Sequence, residues 1–463
     1  MHPDSEDLWF LPLGGTGEIG MNLNLYGHAG RWLMVDCGVT FAKEGQAGPH
    51  VQMADPEFIV QRRDDLEALL VTHAHEDHVG AVAHLWPRLG CRVITSGFTA
   101  AILTRKLAEV GLAGQVPIEV MESGARSLLG PFDVQWLRLT HSIPEAHALM
   151  IRTAAGKVLH TGDWKLDPDP VVGDATVASA FEALAEEGVD AMVCDSTNAM
   201  VAGHSTSEAE LLPGLTRVVG EARGRVVVTA FGSNIARLHT LAQVALATGR
   251  HMSVLGRSLH NMVAAAREAC LWHPVRDLVP ARELGYLPRE EILVVATGSQ
   301  GDPGAALDRL ARGSHPDLEL ETGDRVVFSS RVIPGNEDGL NRLLRRLEQQ
   351  RVEVVTAEDA LIHASGHPCQ DELRTLYRWV RPKTAVPVHG EPPHLAAHAV
   401  VAREAGVPLQ LLGRNGDLFL LAPVAGVRRG LVGCGRLGLT GNRLERVAGR
   451  MAEDERASTK VSE

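Results

Sequence analysis

The sequence predicts an α/β protein in two units: a sandwich of sheets with a reactive edge, and a parallel sheet wrapped by helices. Three observations carry this prediction. Apolar strands at 69–71, 132–139, 157–160 and 384–388 each run into a His or Asp, the arrangement that a site at one edge of a sheet sandwich requires. Strands at 225–230, 251–255, 292–296, 325–328 and 352–355 alternate with longer helical stretches, the pattern of a helix-covered parallel sheet. At 463 residues, the chain is also too long for one ordinary core.

The totals narrow the function. The chain is 45% hydrophobic and 22% charged, as in ordinary soluble globular proteins. No apolar run approaches the ~18 residues of a membrane span. The N-terminus is acidic where a secretory signal would be basic, so a cytoplasmic location without membrane contact is expected. Cys37, Cys91, Cys194, Cys270, Cys369 and Cys434 stand singly with no C-x-x-C spacing, which favours reduced core thiols over disulfides or a cysteine zinc site. A net charge of −12 opposes generic attraction to nucleic acid, and 4% aromatics argue against a broad base-stacking platform. A polyanion would have to be met locally.

In chain order, a strand at 8–13 runs into Gly14-Gly15-Thr16-Gly17-Glu18-Ile19-Gly20. Residues 15–20 fit G-x-G-x-x-G, but a dinucleotide site needs a helix next, whereas 22–26 and 31–35 read as two strands joined by a glycine turn. The glycines are therefore expected to form a tight loop. Asp36 ends the second of these strands, where it either orients a metal ligand or caps a turn. Residues 42–56 read as loop, 55–68 as helix and 69–71 as buried strand. Then comes Thr72-His73-Ala74-His75-Glu76-Asp77-His78, with three imidazoles and a free carboxylate in six consecutive positions. These are donors suited to zinc, manganese or iron, and crowding them would be costly without a cation.

A helix at 80–89, a strand at 92–94, a helix at 99–110 and strands at 118–121 and 132–139 are expected next. The last leads to His141, a further ligand, and the strand at 157–160 leads to Asp163, a natural bridging carboxylate. Strand 191–194 leads to Asp195. Ser207-Glu208-Ala209-Glu210 reads as a capping box that opens the alternating unit. After that unit, His363-Ala364-Ser365-Gly366-His367 forms a polar loop, a helix spans 370–380, and strand 384–388 ends in His389. The tail from Met451 is short, charged and expected to be disordered.

From Gly14 to about Asp417, these residues resemble the metallo-β-lactamase fold in its β-CASP nuclease branch, and within it the ribonuclease J family. The resemblance implies an αββα metallo-β-lactamase sandwich over 1–206 and 363–425, with a β-CASP α/β domain inserted at 207–362. Residues 426–463 would be a short C-terminal remnant and tail, with the C-terminal domain largely absent and homodimer formation weakened or altered. It further implies two divalent ions, zinc or manganese. His73, His75 and His141 would hold one ion, Asp77, His78 and His389 the other, and Asp163 would bridge them. Catalytic roles would fall to Asp77, Asp195 and His367, with His367 giving the leaving oxygen its proton. Gly232, Ser233 and Asn234, where strand 225–230 turns into a helix, and residues His363, Ala364, Ser365, Gly366 and His367 would grip RNA and its 5′-monophosphate.

That resemblance implies 5′→3′ exonuclease and endonuclease action in RNA processing and decay. Arg342, Arg345, Arg346, Arg374, Arg378 and Lys383 are candidates to guide RNA, with solvated helix faces as the plainer reading. The alternatives are a DNA-directed nuclease of the same branch, a small-molecule ester or lactone hydrolase of the same superfold, and an inactive RNA-binding paralogue. The inserted unit and the 363–367 loop argue against small substrates. The complete set of seven ligands argues against an inactive paralogue.

Overall fold

A computed structural model describes residues 2–42, 48–274, 276–333 and 335–447. Two large sheets pack face to face. The first has eight strands in the order Gly426–Arg428, Leu418–Ala422, Leu8–Gly14, Leu23–His28, Arg31–Val35, Leu66–Leu70, Val93–Thr95 and Ile118–Val120. It is antiparallel as far as Arg31–Val35 and parallel beyond it. The second has seven strands in the order Leu409–Gln410, Thr384–Val388, Ala191–Asp195, Lys157–His160, His147–Arg152, Phe132–Arg138 and Arg126–Leu129. Its first four strands are parallel.

The inner faces share one buried cluster, with Phe10, Leu33 and Leu70 meeting Phe132, Trp136 and Val193. Each such side chain contributes roughly 1.5–3 kcal/mol by leaving water. Helices Val82–Leu89 and Gly97–Glu109 cover the outer face of the first sheet through Leu85 and Leu103. Helices Ala178–Glu187, Gln370–Val380 and Pro392–Glu404 cover the second through Phe181, Leu376 and Val401. The layers run helix, sheet, sheet, helix.

A five-stranded sheet, in the order His251–Leu255, Ile292–Ala296, Val226–Thr229, Arg325–Phe328 and Glu353–Val355, is parallel throughout. Its unbroken apolar runs, such as Val226-Val227-Val228, suit strands covered on both faces. Helices Leu211–Gly220, Ile235–Ala247 and Arg257–Glu268 cover one face, in a core that also takes in Phe98, Ile102 and Ile143 of the sandwich. The junction holds a buried cation as well. Arg237 pairs with Glu208 and donates to Ser329 O at 2.8 Å and Ile362 O at 3.3 Å.

Several expected elements are corrected. Instead of a helix over 55–68 there is one turn at Glu57–Val60, a 3-10 turn at Arg63–Asp65 and the start of strand Leu66–Leu70. Pairing with Arg31–Val35 claims Leu66 for the sheet, so the helical pattern ends early. The expected loop over 42–56 contains strand Val51–Ala54, which joins Val39–Phe41, Arg436–Thr440 and Arg443–Arg446 in a four-stranded antiparallel sheet. Its partner arrives from the far end of the chain, so local composition could not announce it. The expected remnant beyond 426 is thus partly built into this sheet, while residues 43–47 and the tail from Met451 lie outside the described residues.

The capping box is half formed. Ser207 N–H donates to Glu210 Oε1 at 3.1 Å, but its hydroxyl goes to Asp167 Oδ1 at 2.6 Å and the helix begins at Leu211. Strands Arg126–Leu129 and His147–Arg152 and helix Ala178–Glu187 had no counterpart in the sequence reading. Among the described residues no helix is long and apolar enough to cross a membrane.

Candidate metal centre

Parallel strands bring their carboxyl ends to one edge, where open α/β sheets bind ligands. Asp36 follows Arg31–Val35, His73 and His75 follow Leu66–Leu70, Asp163 follows Lys157–His160, Asp195 closes Ala191–Asp195, and His389 follows Thr384–Val388. Asp77 and His78 sit on a separate one-turn helix, Glu76–Val79, and the helix expected at 80–89 follows as Val82–Leu89. The segment 36–38 lies directly against that turn. Cys37 N–H donates to His78 O at 2.7 Å, and a Cβ on Gly38 would lie 1.7 Å from Asp77 O. Only glycine fits there.

The seven expected ligands converge in two overlapping groups: His73, His75, His141 and Asp163, and Asp77, His78, Asp163 and His389. In the first, His75 Nδ1 lies 3.1 Å from His73 Nε2 and 3.0 Å from His141 Nε2. Nitrogens around a tetrahedral ion with bonds of ~2.0–2.1 Å stand roughly 3.3 Å apart, so these lone pairs share a focus of suitable size. In the second, Asp77 Oδ2 lies 3.0 Å from His389 Nε2, and Asp163 Oδ2 lies 3.2 Å from His78 Nε2. Asp163 Oδ1 is buried without a hydrogen-bond partner, an atom that a cation would satisfy. The donor set fits divalent metal.

Outer contacts fix the ligands in orientation. Asp36 Oδ2 meets His78 Nδ1 at 2.8 Å while its Oδ1 accepts Thr72 N–H at 2.8 Å, so Asp36 orients a ligand rather than capping a turn. His141 Nδ1 meets Gly366 O at 2.5 Å. Thr197 Oγ1 bridges Asp195 Oδ1 at 2.7 Å and His389 Nδ1 at 2.9 Å. Sequence reasoning passed over Thr72 and Thr197, although Thr197 follows Asp195 by two, the spacing of an Asx-type turn.

The electrostatics divide the cluster. Burial and the neighbouring imidazoles hold His73 and His141 well below the ordinary histidine value, and burial takes His75 down to about 4. These rings are neutral, as ligands must be. For His78 and His389, burial works in the same direction, but Asp163 and its fellow carboxylates outweigh it and raise both.

His367, beside this cluster, contacts Asp195 Oδ2 through Nδ1 at 2.8 Å. Burial opposes its charge, yet Asp195 prevails and raises its pKa. Asp163, Asp195, His367 and His389 form a third close group.

The expected substrate loops are arranged differently from one another. Asn234 is the cap of helix Ile235–Ala247, accepting Arg237 N–H at 2.8 Å, so its side chain is committed to the fold. Gly232 and Ser233 remain at the surface of the turn, and a Cβ on Gly232 would meet nothing closer than 3.5 Å. In the second loop, Gly366 packs against His141, where a Cβ would lie 2.7 Å from the ring, and Ala364 is buried. Ser365 Oγ accepts Asn198 Nδ2 at 2.8 Å, and His363 is mostly buried with Nδ1 unpartnered. Of the cations proposed to guide RNA, Arg346, Arg374 and Lys383 are paired with Asp308, Asp371 and Glu404, and Asp190, which favours the plainer reading for them.

Residues 20–204 match the family described as metallo-beta-lactamase superfamily, 223–347 match ribonuclease J, beta-CASP domain, and 351–411 match Zn-dependent metallo-hydrolase RNA specificity domain. A protein named ribonuclease J from Sinorhizobium meliloti is 45% identical over 422 residues, covering 90% of this chain and 75% of its own length. One of the same name from Mycolicibacterium smegmatis is 40% identical over 408 residues, covering 87% and 73% respectively. A crystal structure of a protein of unknown function from Enterococcus faecalis V583 superposes with a TM-score of 0.62 at 16% identity, over 89% of this chain and all of that one, which shows the fold alone.

Proposed function

This chain belongs to the ribonuclease J family and is a metal-dependent ribonuclease; we propose that it degrades RNA from 5′-monophosphorylated ends and also cuts internally. The observation that carries this is the convergence of seven ligands beside a His367–Asp195 pair. The proposed division is a sandwich at 1–206 and 363–425, with a β-CASP unit at 207–362, and the proposed location is the cytoplasm.

In our reading His73, His75 and His141 would hold one ion and Asp77, His78 and His389 a second, with Asp163 shared by both groups and zinc or manganese as the metal. When bound, such ions would supply Lewis-acid polarisation of a phosphodiester and acidification of a water. The chain's own part is positional and protonic. With the ring protonated, Asp195 Oδ2 accepts a hydrogen bond from His367 Nδ1–H, and Nε2–H gives its proton to the departing 3′ oxygen as the phosphorus–oxygen bond breaks, leaving a neutral ring. The products are a 5′-mononucleotide and a strand with a new 5′-monophosphate, the substrate of the next round. Gly232 and Ser233, at the start of helix Ile235–Ala247, would receive that phosphate through backbone N–H groups, with His363 and Ser365 nearby in the second loop.

The test is digestion of 5′-end-labelled RNA carrying a monophosphate or a triphosphate, by protein loaded with zinc or manganese, with His75→Ala and a matching DNA alongside. Mononucleotide released faster from the monophosphorylated RNA, and lost in His75→Ala, is the expected result. Faster digestion of the DNA would favour the DNA-directed alternative, and no cleavage of any strand would end the nuclease reading.

A further inference from the structure

His398 lies fully buried on helix Pro392–Glu404, and no step above uses it. Its Nδ1 is 2.8 Å from Ser196 Oγ and its Nε2 2.8 Å from Tyr377 OH. Both partners are as deeply buried. Burial pushes the pKa of His398 down to about 4, so the ring is neutral, with one nitrogen donating and the other accepting. Three polar side chains at this depth cost more to desolvate than an apolar filling would, and their mutual bonds offset that cost only in one arrangement.

Each member adjoins a residue of the active site. Ser196 is the middle of the turn in which Asp195 Oδ1 accepts Thr197 N–H at 2.8 Å, the turn that aims Asp195 Oδ2 at His367. The helix of His398 follows His389. Gly390 presses on Ser196 so closely that a Cβ there would lie 3.1 Å from Ser196 Cβ and 2.9 Å from His394 Cβ. Tyr377 stands on helix Gln370–Val380, which opens just after His367 and is tied to the segment beyond Asp163, where Glu372 Oε1 accepts Leu166 N–H at 2.8 Å.

We propose that His398 is a positioning residue: the Ser196–His398–Tyr377 relay locks together the three segments that carry Asp195, His389 and His367, and thereby sets the aim of the His367–Asp195 pair. This rests on the ribonuclease reading, in which His367 protonates a poor leaving group. A loosened relay misplaces that proton, and misplacement of a catalytic group by about 1 Å can cost ~100-fold. It matters little where the leaving group needs no proton.

The experiment compares Ser196→Ala, Tyr377→Phe and His398→Phe with the unaltered protein on two substrates, a 5′-monophosphorylated RNA oligomer and bis(4-nitrophenyl) phosphate, with bound metal measured in each. Ser196→Ala and Tyr377→Phe each delete one hydroxyl and keep the fold testable if His398→Phe does not fold. The expected result is a kcat on RNA lowered by about tenfold, a KM within about twofold, unchanged metal content and a loss of less than about twofold on the nitrophenyl ester. His398→Asn, which keeps a hydrogen-bonding group toward Ser196, should lose less than His398→Phe. Equal losses on both substrates, or none, overturn the relay. Unaltered protein that hydrolyses the ester but no RNA overturns the ribonuclease reading instead.

Discussion

The metal centre and the turn at 231–234 are both strand-end sites, yet they are built in opposite ways. The first gathers side chains from segments far apart in sequence: Asp77 and His389, in contact at 3.0 Å, are 312 positions apart. The second is local, a turn and a helix start after strand Val226–Thr229. That strand lies between Ile292–Ala296 and Arg325–Phe328, where the order of the parallel sheet reverses, the place at which such sheets commonly bind ligands. One site is loaded with ionisable groups that oppose each other without a cation. The other offers neutral backbone donors. In the proposed function, that difference would separate a site for chemistry from one for selecting an end.

If that separation holds, the two sites fail independently. The largest effect is expected from His75→Ala, which removes the nitrogen shared by two short contacts and should lower kcat by about 10³-fold or more with loss of bound metal. Binding of 5′-monophosphorylated RNA, measured by filter retention, should survive. Loss of that binding as well would break the comparison.

Next is Glu208→Ala, which strands the buried Arg237 between the two units and should cost about 3–5 kcal/mol in urea unfolding. A cost below about 1 kcal/mol would mean that the junction is apolar in substance.

The third concerns pH. In Asp163, burial works to raise the pKa, but His389 and His78 outweigh it and take the carboxyl down to about 2. A depressed folded value adds stability above the ordinary carboxylate range, about pH 4, and that stability fades as pH falls toward 2. Metal-free protein should therefore lose about 2 kcal/mol more between pH 6 and pH 2 than Asp163→Asn does, read from melting temperatures.

The smallest effect belongs to the turn. Ser233→Asp would place a negative charge at the start of helix Ile235–Ala247 and should raise KM for monophosphorylated RNA by about tenfold, while RNA with a 5′-hydroxyl changes little. Equal changes for both RNAs would remove the turn from end selection.

The metal centre was largely legible in the sequence because its chemistry lies in side-chain identity. His73, His75, Asp77, His78, His141, Asp163 and His389 were all named before the geometry brought them together. The supporting contacts were harder to read. Thr72 and Thr197 are ordinary residues whose importance lies in where their hydroxyls point. Asn234 could be a cap or a phosphate contact in the sequence, and its bond to Arg237 N–H decides for the cap.

Among the fold elements, the parallel strands were legible from their apolar runs. His251–Leu255, Ile292–Ala296 and Arg325–Phe328 fall where expected. Val51–Ala54 was not, since its strand character comes from pairing with Arg436–Thr440, and no local pattern encodes a partner that distant. The helical pattern over 55–68 gives way for a related reason, since sheet pairing recruits its end.

The interruption of the sandwich has a consequence for how the protein is made. Asp195 and His367, bonded at 2.8 Å, are separated by 172 positions, and the parallel-sheet unit lies between them. Chains emerge from the ribosome in order, and units fold as they emerge. A growing chain thus presents residues 73–78 long before His367 and His389 exist, and the cluster they complete is still open. Translation thereby sets an order of assembly: the seven-residue cluster can close only after the parallel-sheet unit has been made.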